Sequence, residues 1–197
     1  MKNRGTCGII CMIVGLLFLG GAIGLLGYNT WQEKEGEESM TRIMKEMDPI
    51  ITPLKHEVDI LPKTMQTVSV EGNEYIGVLE IPRIGTMFPI LENLSDEQLK
   101  IAPCRYKGSY LNDTMILAGH NYREGFGIIK QLEIGDVVTF TDTIGNTIKY
   151  QVSNVEIIEG TNVEAMEEGE DWDLTLFSCT YGGQERYTVR CTRVASK

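Results

Sequence analysis

The N-terminal part of the chain contains a long stretch without charge. From Gly5 to Gln32 there is no charged residue, and residues 8–27 supply about the 20 apolar residues that span the hydrocarbon core of a bilayer. This length predicts a transmembrane helix over residues 8–27. A cleaved signal peptide is the alternative, but its apolar region is normally only about 7 to 15 residues long, and no clear small-x-small cleavage site follows here.

Charges on the two sides of this stretch differ in sign. Lys2 and Arg4 precede it, whereas mainly acidic residues follow it at positions 33–38. Because basic residues favour the cytoplasmic side, residues 1–7 are predicted to be cytoplasmic and the remainder of the chain extracellular, in a single-pass cell-membrane protein.

The segment that follows the apolar stretch is polar. Residues 28–68 are predicted to form a juxtamembrane stalk with one short helix, which Pro49 and Pro53 end. His56 lies in this stalk, and its neighbours have no metal-binding spacing, so an exposed position is predicted.

Charge and cysteine content limit the possible functions. The formal net charge of −10 and the lack of a basic cluster in the sequence argue against a nucleic-acid partner, because phosphate binding requires clustered Lys and Arg. The five cysteines are an odd number and match no zinc-site spacing. A disulfide framework is therefore not predicted, and at least one thiol is free. The cysteines are Cys7, Cys11, Cys104, Cys179 and Cys191.

Residues 69–197 have the pattern of a folded all-β domain. Short β-rich runs alternate with turn signals, and a Gly145-Asn146 turn joins two runs into a hairpin. Ser95 and the acidic residues after it predict one short helix. About seven or eight strands with few helices indicate a small closed β-barrel. The predicted strands are 75–82, 86–91, 114–119, 136–141, 146–153 with a possible continuation over 156–159, 174–178 and 187–194.

Two apolar runs of this domain end in a reactive side chain. One is Ile116-Leu-Ala-Gly-His120, and the other is Leu176-Phe-Ser-Cys179, followed across a glycine turn by Arg186. A cysteine nucleophile needs a base, which histidine provides near neutral pH, and an arginine can stabilise an oxyanion. Taken singly, a buried cysteine, a hydrogen-bonded histidine and a surface arginine are the more common situations. Their coincidence at strand ends leaves catalysis and a structural role open.

These motifs together resemble the sortases, the cysteine transpeptidases of Gram-positive cell surfaces. The resemblance rests on Leu117-Ala-Gly-His120, on Thr175-Leu-Phe-Ser-Cys179 with Arg186, on the run Tyr75-Ile-Gly-Val-Leu-Glu-Ile-Pro-Arg-Ile-Gly85 and on the N-terminal apolar segment. It covers roughly residues 70–195 and implies a closed eight-stranded β-barrel with one or two short helices.

The resemblance also implies a reaction. Cys179 would be the nucleophile, His120 the general acid and base, and Arg186 the group that positions the substrate and stabilises the oxyanion. The implied substrate is a surface protein with a C-terminal LPxTG-like sorting signal. A thioacyl intermediate would pass to an amine of a peptidoglycan precursor or to a pilin lysine. Substrate-binding positions are assigned to Leu117, Ala118, Ser178 and Val163.

Departures from the family pattern leave the sortase class open. Ser178 replaces the usual threonine before the cysteine, and Asp48-Pro49 is followed by Ile50 rather than by the aromatic residue of the pilin-sortase lid. A class D-like or housekeeping role and a class B-like role both remain. No cofactor is expected. A calcium site like that of some class A sortases is a weaker expectation than a solvated acidic loop. Its carboxylates would be Glu164, Glu167, Glu168, Glu170, Asp171 and Asp173 with Glu92, Asp96 or Glu97.

Two other functions are compatible with the sequence. The same fold could hydrolyse its signal without transferring it, or a non-enzymatic β-barrel could bind a peptide or a cell-wall component. Turnover of a sorting-signal peptide with and without an amine acceptor separates these from a transpeptidase.

Overall fold

The structure is a computed structural model that describes residues 3–51, 62–123, 125–167 and 171–194, with side chains from residue 8 onward. The chain divides into two compact units, Met1–Glu35 and Gly36–Lys197. His56, together with Glu168 and Glu170 of the acidic loop, lies outside the described residues.

The first unit consists of the N-terminal part of helix α1 (Asn3–Met47). This helix is long and apolar enough to cross a membrane, with a mean hydropathy of 2.7 in its most apolar window. Its apolar side chains from Ile9 to Leu26 are exposed in the isolated chain, which fits a membrane anchor. Tyr28 and Trp31 follow with their ring centroids 6.0 Å apart.

The second unit is a closed β-barrel. Nine strands form one sheet in the order β1-β2-β3-β4-β5-β8-β9-β7-β6, and β2 also pairs with β6. Within the described residues β1 pairs only with β2, so the closed ring has eight strands, as predicted. The strands are β1 (Val68–Val70), β2 (Asn73–Ile81), β3 (Thr86–Leu91), β4 (Cys104–Lys107), β5 (Met115–Gly119), β6 (Val137–Asp142), β7 (Thr147–Glu159), β8 (Leu174–Cys179) and β9 (Glu185–Arg193).

Apart from the second part of α1, the helical elements of the second unit are short. They are α2 (Asp96–Leu99), α3 (Val163–Glu167) and two 3-10 helices at Pro82–Ile84 and Phe126–Gln131. Ser95 caps α2 as predicted, because its side chain accepts a hydrogen bond from the Gln98 N–H at 3.1 Å. The sequence did not predict α3, which lies in the segment expected to be an acidic loop.

The predicted hairpin is present and longer than its turn signal indicated. Asp142 ends β6, and its carboxylate accepts hydrogen bonds from the backbone N–H groups of Ile144 and Asn146, which fixes the turn. Strand β7 continues to Glu159 past an irregularity between Val152 and Asn154, and it pairs with both β6 and β9. The possible continuation over 156–159 is therefore correct.

The barrel interior is apolar because side chains alternate along each strand. Leu174 and Leu176 of β8 point inward, as do Leu117 of β5 and Val189 of β9, and all four are buried in the main core. The intervening residues of these strands point to the outer wall.

The stalk prediction differs from the structure in its helix. Helix α1 continues to Met47, and its second part belongs to the barrel unit. Ile43 and Met47 are fully buried in a second apolar cluster with Val70, Tyr75 and other residues of the barrel wall. In the second part of α1, apolar residues recur at helical spacing. The helix face that they form therefore packs against the barrel wall instead of facing solvent.

Candidate active site

Strand pairing places the three predicted catalytic residues at one end of the barrel wall. Strands β5 and β8 are parallel, with Gly119 beside Ser178, so His120 and Cys179 follow at adjacent strand ends. Strand β9 runs antiparallel to β8, and Arg186 lies directly opposite Cys179. Cys179 is therefore flanked by His120 on one side and Arg186 on the other.

All three side chains line one cavity of about 340 Å³. Tyr106, Ala118 and Phe177 contribute to its base, while Val163 and Met166 of α3 contribute to its wall. The rings of Tyr106 and Phe177 meet edge to face at 5.5 Å between centroids. The cavity thus has an apolar region next to a polar one that contains His120, Cys179 and Arg186.

The four predicted substrate-binding residues separate into two pairs. Ala118 and Val163 line the cavity. The part of its lining that the structure describes does not include Leu117 or Ser178. Leu117 is fully buried in the core, and Ser178 is also buried, because the side chain next to an outward-facing residue points to the opposite face of its strand. Leu117 and Ser178 therefore lie away from the cavity, whereas the outward neighbour Phe177 lines it.

His120 is half-buried next to an aromatic ring. Its imidazole lies 4.9 Å from the ring of Tyr122, between centroids. Burial lowers the pKa of His120, the nearby Asp96 carboxylate partly opposes this, and Lys100 adds to the lowering. The neutral imidazole is therefore favoured at neutral pH, which is the form that can accept a proton.

The backbone around His120 is closely packed. A Cβ on Gly119 would lie 2.4 Å from Phe126 Cβ, so only glycine fits before the histidine. On the other side, the Asn121 Nδ2 donates a hydrogen bond to the Thr180 carbonyl at 3.4 Å. This bond connects the residue after His120 with the residue after Cys179, and sequence spacing alone gave no signal for it.

Cys179 is the accessible thiol of the barrel. Its side chain is partly exposed, whereas Cys104 and Cys191 are fully buried. Burial raises the pKa of each buried thiol to about 12, which keeps both protonated. Cys104 and Cys191 are therefore structural residues rather than reactive ones.

Arg186 is held by the turn that joins β8 to β9. Its Nη1 donates hydrogen bonds to the carbonyls of Gly183 at 2.9 Å and Glu185 at 3.1 Å. Its Nε and Nη2 have no hydrogen-bond partner among the described residues. Gly160 at the end of β7 lies close by, and a Cβ there would approach Nη1 to 2.9 Å. The guanidinium is thus positioned at the cavity with donors available for a ligand.

Carboxylates of the less favoured calcium alternative contact protein cations and hydrogen-bond donors. Glu167 pairs with Lys107 and accepts a hydrogen bond from the Tyr106 hydroxyl at 2.8 Å. Glu92 pairs with Arg105, and Asp173 accepts a hydrogen bond from the backbone N–H of Arg193. Within the described part of the chain, no group of three or more His, Cys, Asp or Glu is placed to hold a metal ion.

Comparison with known proteins identifies one family. The sequence model of the sortase domain family matches residues 79–194. Sortase D of Bacillus subtilis (strain 168) is 26% identical over 196 residues, which cover 94% of this chain and 96% of that protein.

Solved sortase structures share the fold. Sortase C from Clostridium perfringens SM101 is 27% identical with a TM-score of 0.54, and the match covers 62% of this chain and 71% of that one. Sortase C1 from Streptococcus agalactiae, at 24% identity, has a TM-score of 0.57 over 66% of this chain and 72% of that one. The family match spans more than half of the sequence and includes the strands that carry Cys179, His120 and Arg186, and the chain therefore belongs to the sortase family.

Proposed function

We propose that this protein is a membrane-anchored cysteine transpeptidase that cleaves an LPxTG-like sorting signal and transfers the acyl part to an amine. The observation that carries the proposal is the partly exposed Cys179 between His120 and Arg186 in one cavity. Sortases as a family act on surface proteins in this way. The particular signal and the acceptor amine of this chain are part of the proposal.

In the first step the Cys179 sulfur attacks the carbonyl carbon of the scissile peptide bond. The thiol proton passes to the neutral imidazole of His120, whose lowered pKa favours this form. The carbonyl oxygen becomes an oxyanion, to which Nε and Nη2 of Arg186 donate hydrogen bonds. His120 then returns the proton to the leaving amine, the C–N bond breaks, and a thioester remains on Cys179.

In the second step an acceptor amine attacks the thioester carbon. Its proton passes to His120, the C–S bond breaks, and the sulfur of Cys179 recovers a proton from the imidazolium. A new peptide or isopeptide bond forms, so peptide-bond cleavage is balanced by peptide-bond formation. Water in place of the amine gives the hydrolase alternative.

The apolar part of the cavity supports binding of an apolar segment of the signal. Ala118, Val163, Met166 and Phe177 surround this region, and they line the same cavity as Cys179. A leucine and a proline of an LPxTG-like peptide are suitable occupants because apolar burial supplies binding energy.

The proposed location follows from helix α1. Its apolar part would anchor the protein in the cell membrane with the N-terminus cytoplasmic and the barrel extracellular. A scanning-accessibility experiment tests this orientation: in a variant whose five native cysteines are replaced by serine, single cysteines placed at residues 3 and 63 are labelled by a membrane-impermeant reagent. Labelling at residue 63 but not at residue 3 in intact cells supports it, and the reverse contradicts it.

Turnover with and without an acceptor tests the reaction. The full-length protein in detergent is incubated with a fluorogenic LPxTG-type peptide, alone and with an amine such as triglycine. A product that contains the amine supports transfer, and cleavage at an equal rate with only water as acceptor supports the hydrolase. Binding without turnover across a library of signals would identify a binding module instead.

A further inference from the structure

Arg190 is the largest fully buried side chain of the barrel unit. Only 2% of it is exposed, although it carries a permanent charge. It lies on β9 directly opposite Thr175 of β8. Its side chain is on the same face of the barrel wall as those of Arg186 and Cys179. A buried guanidinium is stable only where acceptors take its hydrogen bonds and a negative charge balances its own. The partners of Arg190 therefore indicate its role.

The partners of Arg190 come from three elements. Nε donates to the Glu156 carboxylate of β7 at 2.9 Å, and Nη1 donates to the Thr175 hydroxyl at 2.9 Å. The remaining bonds go to the backbone of α3: Nη1 to the Met166 carbonyl at 2.9 Å and Nη2 to the Ala165 carbonyl at 2.6 Å. The guanidinium carbon also lies 5.5 Å from the ring centroid of Trp172.

These bonds satisfy backbone carbonyls at the C-terminal end of α3. The last carbonyls of a helix have no partner inside the helix, and α3 has only five residues, so it is not stable by itself. Its first turn is capped by the Asn162 side chain, which accepts a hydrogen bond from the Ala165 N–H at 3.0 Å. Arg190 supplies donors to two carbonyls at the other end, together with a positive charge where the helix dipole favours one.

Helix α3 forms the wall of the active-site cavity. Val163 and Met166 line the cavity from this helix, and Met166 provides one of the two carbonyls that Arg190 binds. A second attachment lies at the outer end, where Glu167 contacts Tyr106 and Lys107 of β4. Tyr106 lines the cavity as well, so both attachments connect the wall to the strands beneath it.

Arg190 is not placed to act on the substrate. It does not line the cavity that contains Cys179, and its hydrogen bonds are directed to Glu156, Thr175 and α3. Its effect on the reaction must therefore pass through the helix that it holds.

We propose that Arg190 is a positioning residue that holds α3 in the orientation required to bind the apolar part of the sorting signal. The inference deepens the proposed function and rests on it where it concerns the signal. It also makes a statement about the protein alone, namely that the order of α3 depends on the Arg190 guanidinium.

The first experiment measures α3 directly. Amide hydrogen exchange of residues 163–167 is followed by mass spectrometry in the full-length protein in detergent, with wild type compared to Arg190→Met. Exchange should become at least about tenfold faster, the factor that corresponds to losing one hydrogen bond to a charged group. Arg193→Met is the matched control, because Arg193 lies on the same strand and pairs with Asp113 rather than with α3. Exchange of residues 163–167 should be unchanged in this control.

The second experiment measures the consequence for substrate. With an LPxTG-type peptide, Arg190→Met should raise KM by about tenfold or more while kcat falls less, because a loosened apolar wall removes binding contacts and leaves Cys179, His120 and Arg186 in place. A variant that merely destabilises the barrel would lower the active fraction and reduce kcat at constant KM. That pattern, or unchanged exchange of α3, would overturn the inference.

Arg190→Lys serves if the methionine variant does not fold. The lysine keeps a buried cation for Glu156, but one ammonium cannot reach both α3 carbonyls and Thr175 with the geometry of the planar guanidinium. Faster exchange of α3 in this variant supports the proposal, and wild-type exchange contradicts it. Because exchange needs no turnover, a protein that proves inactive on every signal would refute the proposed function while the exchange result still decides the role of Arg190.

Discussion

At the residue scale, the thiols of this chain differ mainly in exposure. Cys179 is partly exposed at the cavity, while burial holds the pKa of Cys104 and Cys191 far above neutral pH. A thiol that remains protonated is a poor nucleophile, so only one of the three barrel cysteines is suited to attack a carbonyl.

Cys179→Ala is therefore expected to abolish turnover of a sorting-signal peptide. The matched control is Cys104→Ala, which should keep kcat/KM and lose only stability, on the order of 1 kcal/mol for a small deletion in the core. Both are measured as initial rates and urea midpoints. Residual wild-type activity in Cys179→Ala would remove the proposed nucleophile.

Arg186→Ala should lower kcat on the order of 100-fold, the usual cost of losing an oxyanion donor. The guanidinium is held at the cavity by the turn carbonyls of Gly183 and Glu185, so its loss should leave the strands intact. Arg193→Ala provides the comparison on the same strand, and its kcat should be close to that of wild type. A normal kcat in Arg186→Ala would transfer the role to another group.

Stability should depend on pH through His120. Because its pKa is lowered in the folded state, the unfolded chain binds more protons below about pH 6.5, the ordinary histidine value. The His120 contribution is thus complete above this pH and is lost as the pH falls through the lowered folded pKa. Urea midpoints at pH 7.5 and 5.0 should fall more for wild type than for His120→Gln. An equal fall in both proteins would show that His120 does not titrate in this way.

At the element scale, the accuracy of the sequence predictions follows the range of the interactions involved. Most strands, the hairpin turn and the Ser95 cap depend on neighbouring residues, and they were predicted. The short strands β1 and β4 were not predicted. Helix α3 has only a local cap from Asn162, and its other end is bound by Arg190, which is distant in sequence. Leu117 and Ser178 lie outside the cavity lining, because proximity in sequence to a reactive residue does not put a side chain on the same face of the strand.

The acidic segment around α3 gives a prediction about calcium. Glu167 and Glu92 already pair with Lys107 and Arg105, and their release would cost the energy of those contacts. We expect that EDTA leaves both kcat/KM and the amide exchange of residues 163–167 unchanged from values in millimolar calcium. Loss of activity in EDTA that calcium restores and magnesium does not would instead identify a calcium-dependent loop.

At the scale of the whole molecule, the barrel unit includes more of the chain than its strands. The sequence places the start of the catalytic domain at Ser69, while the structure buries Ile43 and Met47 of α1 and Ile51 after it in the second apolar cluster. The Arg42 guanidinium also pairs with Glu71 at 2.7 Å. Gly36 of α1 is also closely packed against the barrel unit. A Cβ there would lie 3.0 Å from the Lys100 carbonyl and 3.6 Å from the ring of Tyr122, which is next to His120.

This packing predicts that a fragment of residues 36–197 is more stable than one of residues 69–197. Burial of one large apolar side chain contributes about 1.5–3 kcal/mol, so losing Ile43 and Met47 alone should lower the free energy of unfolding by about 3–6 kcal/mol. The free energy of unfolding of each fragment is measured by urea unfolding followed by circular dichroism. In the full-length chain, Ile43→Ala should cost about 2–5 kcal/mol, whereas Ile50→Ala, at a side chain that is half exposed, should cost much less. Equal urea midpoints for the two fragments, or equal costs for the two substitutions, would show that α1 is a stalk and contributes nothing to the fold of the barrel.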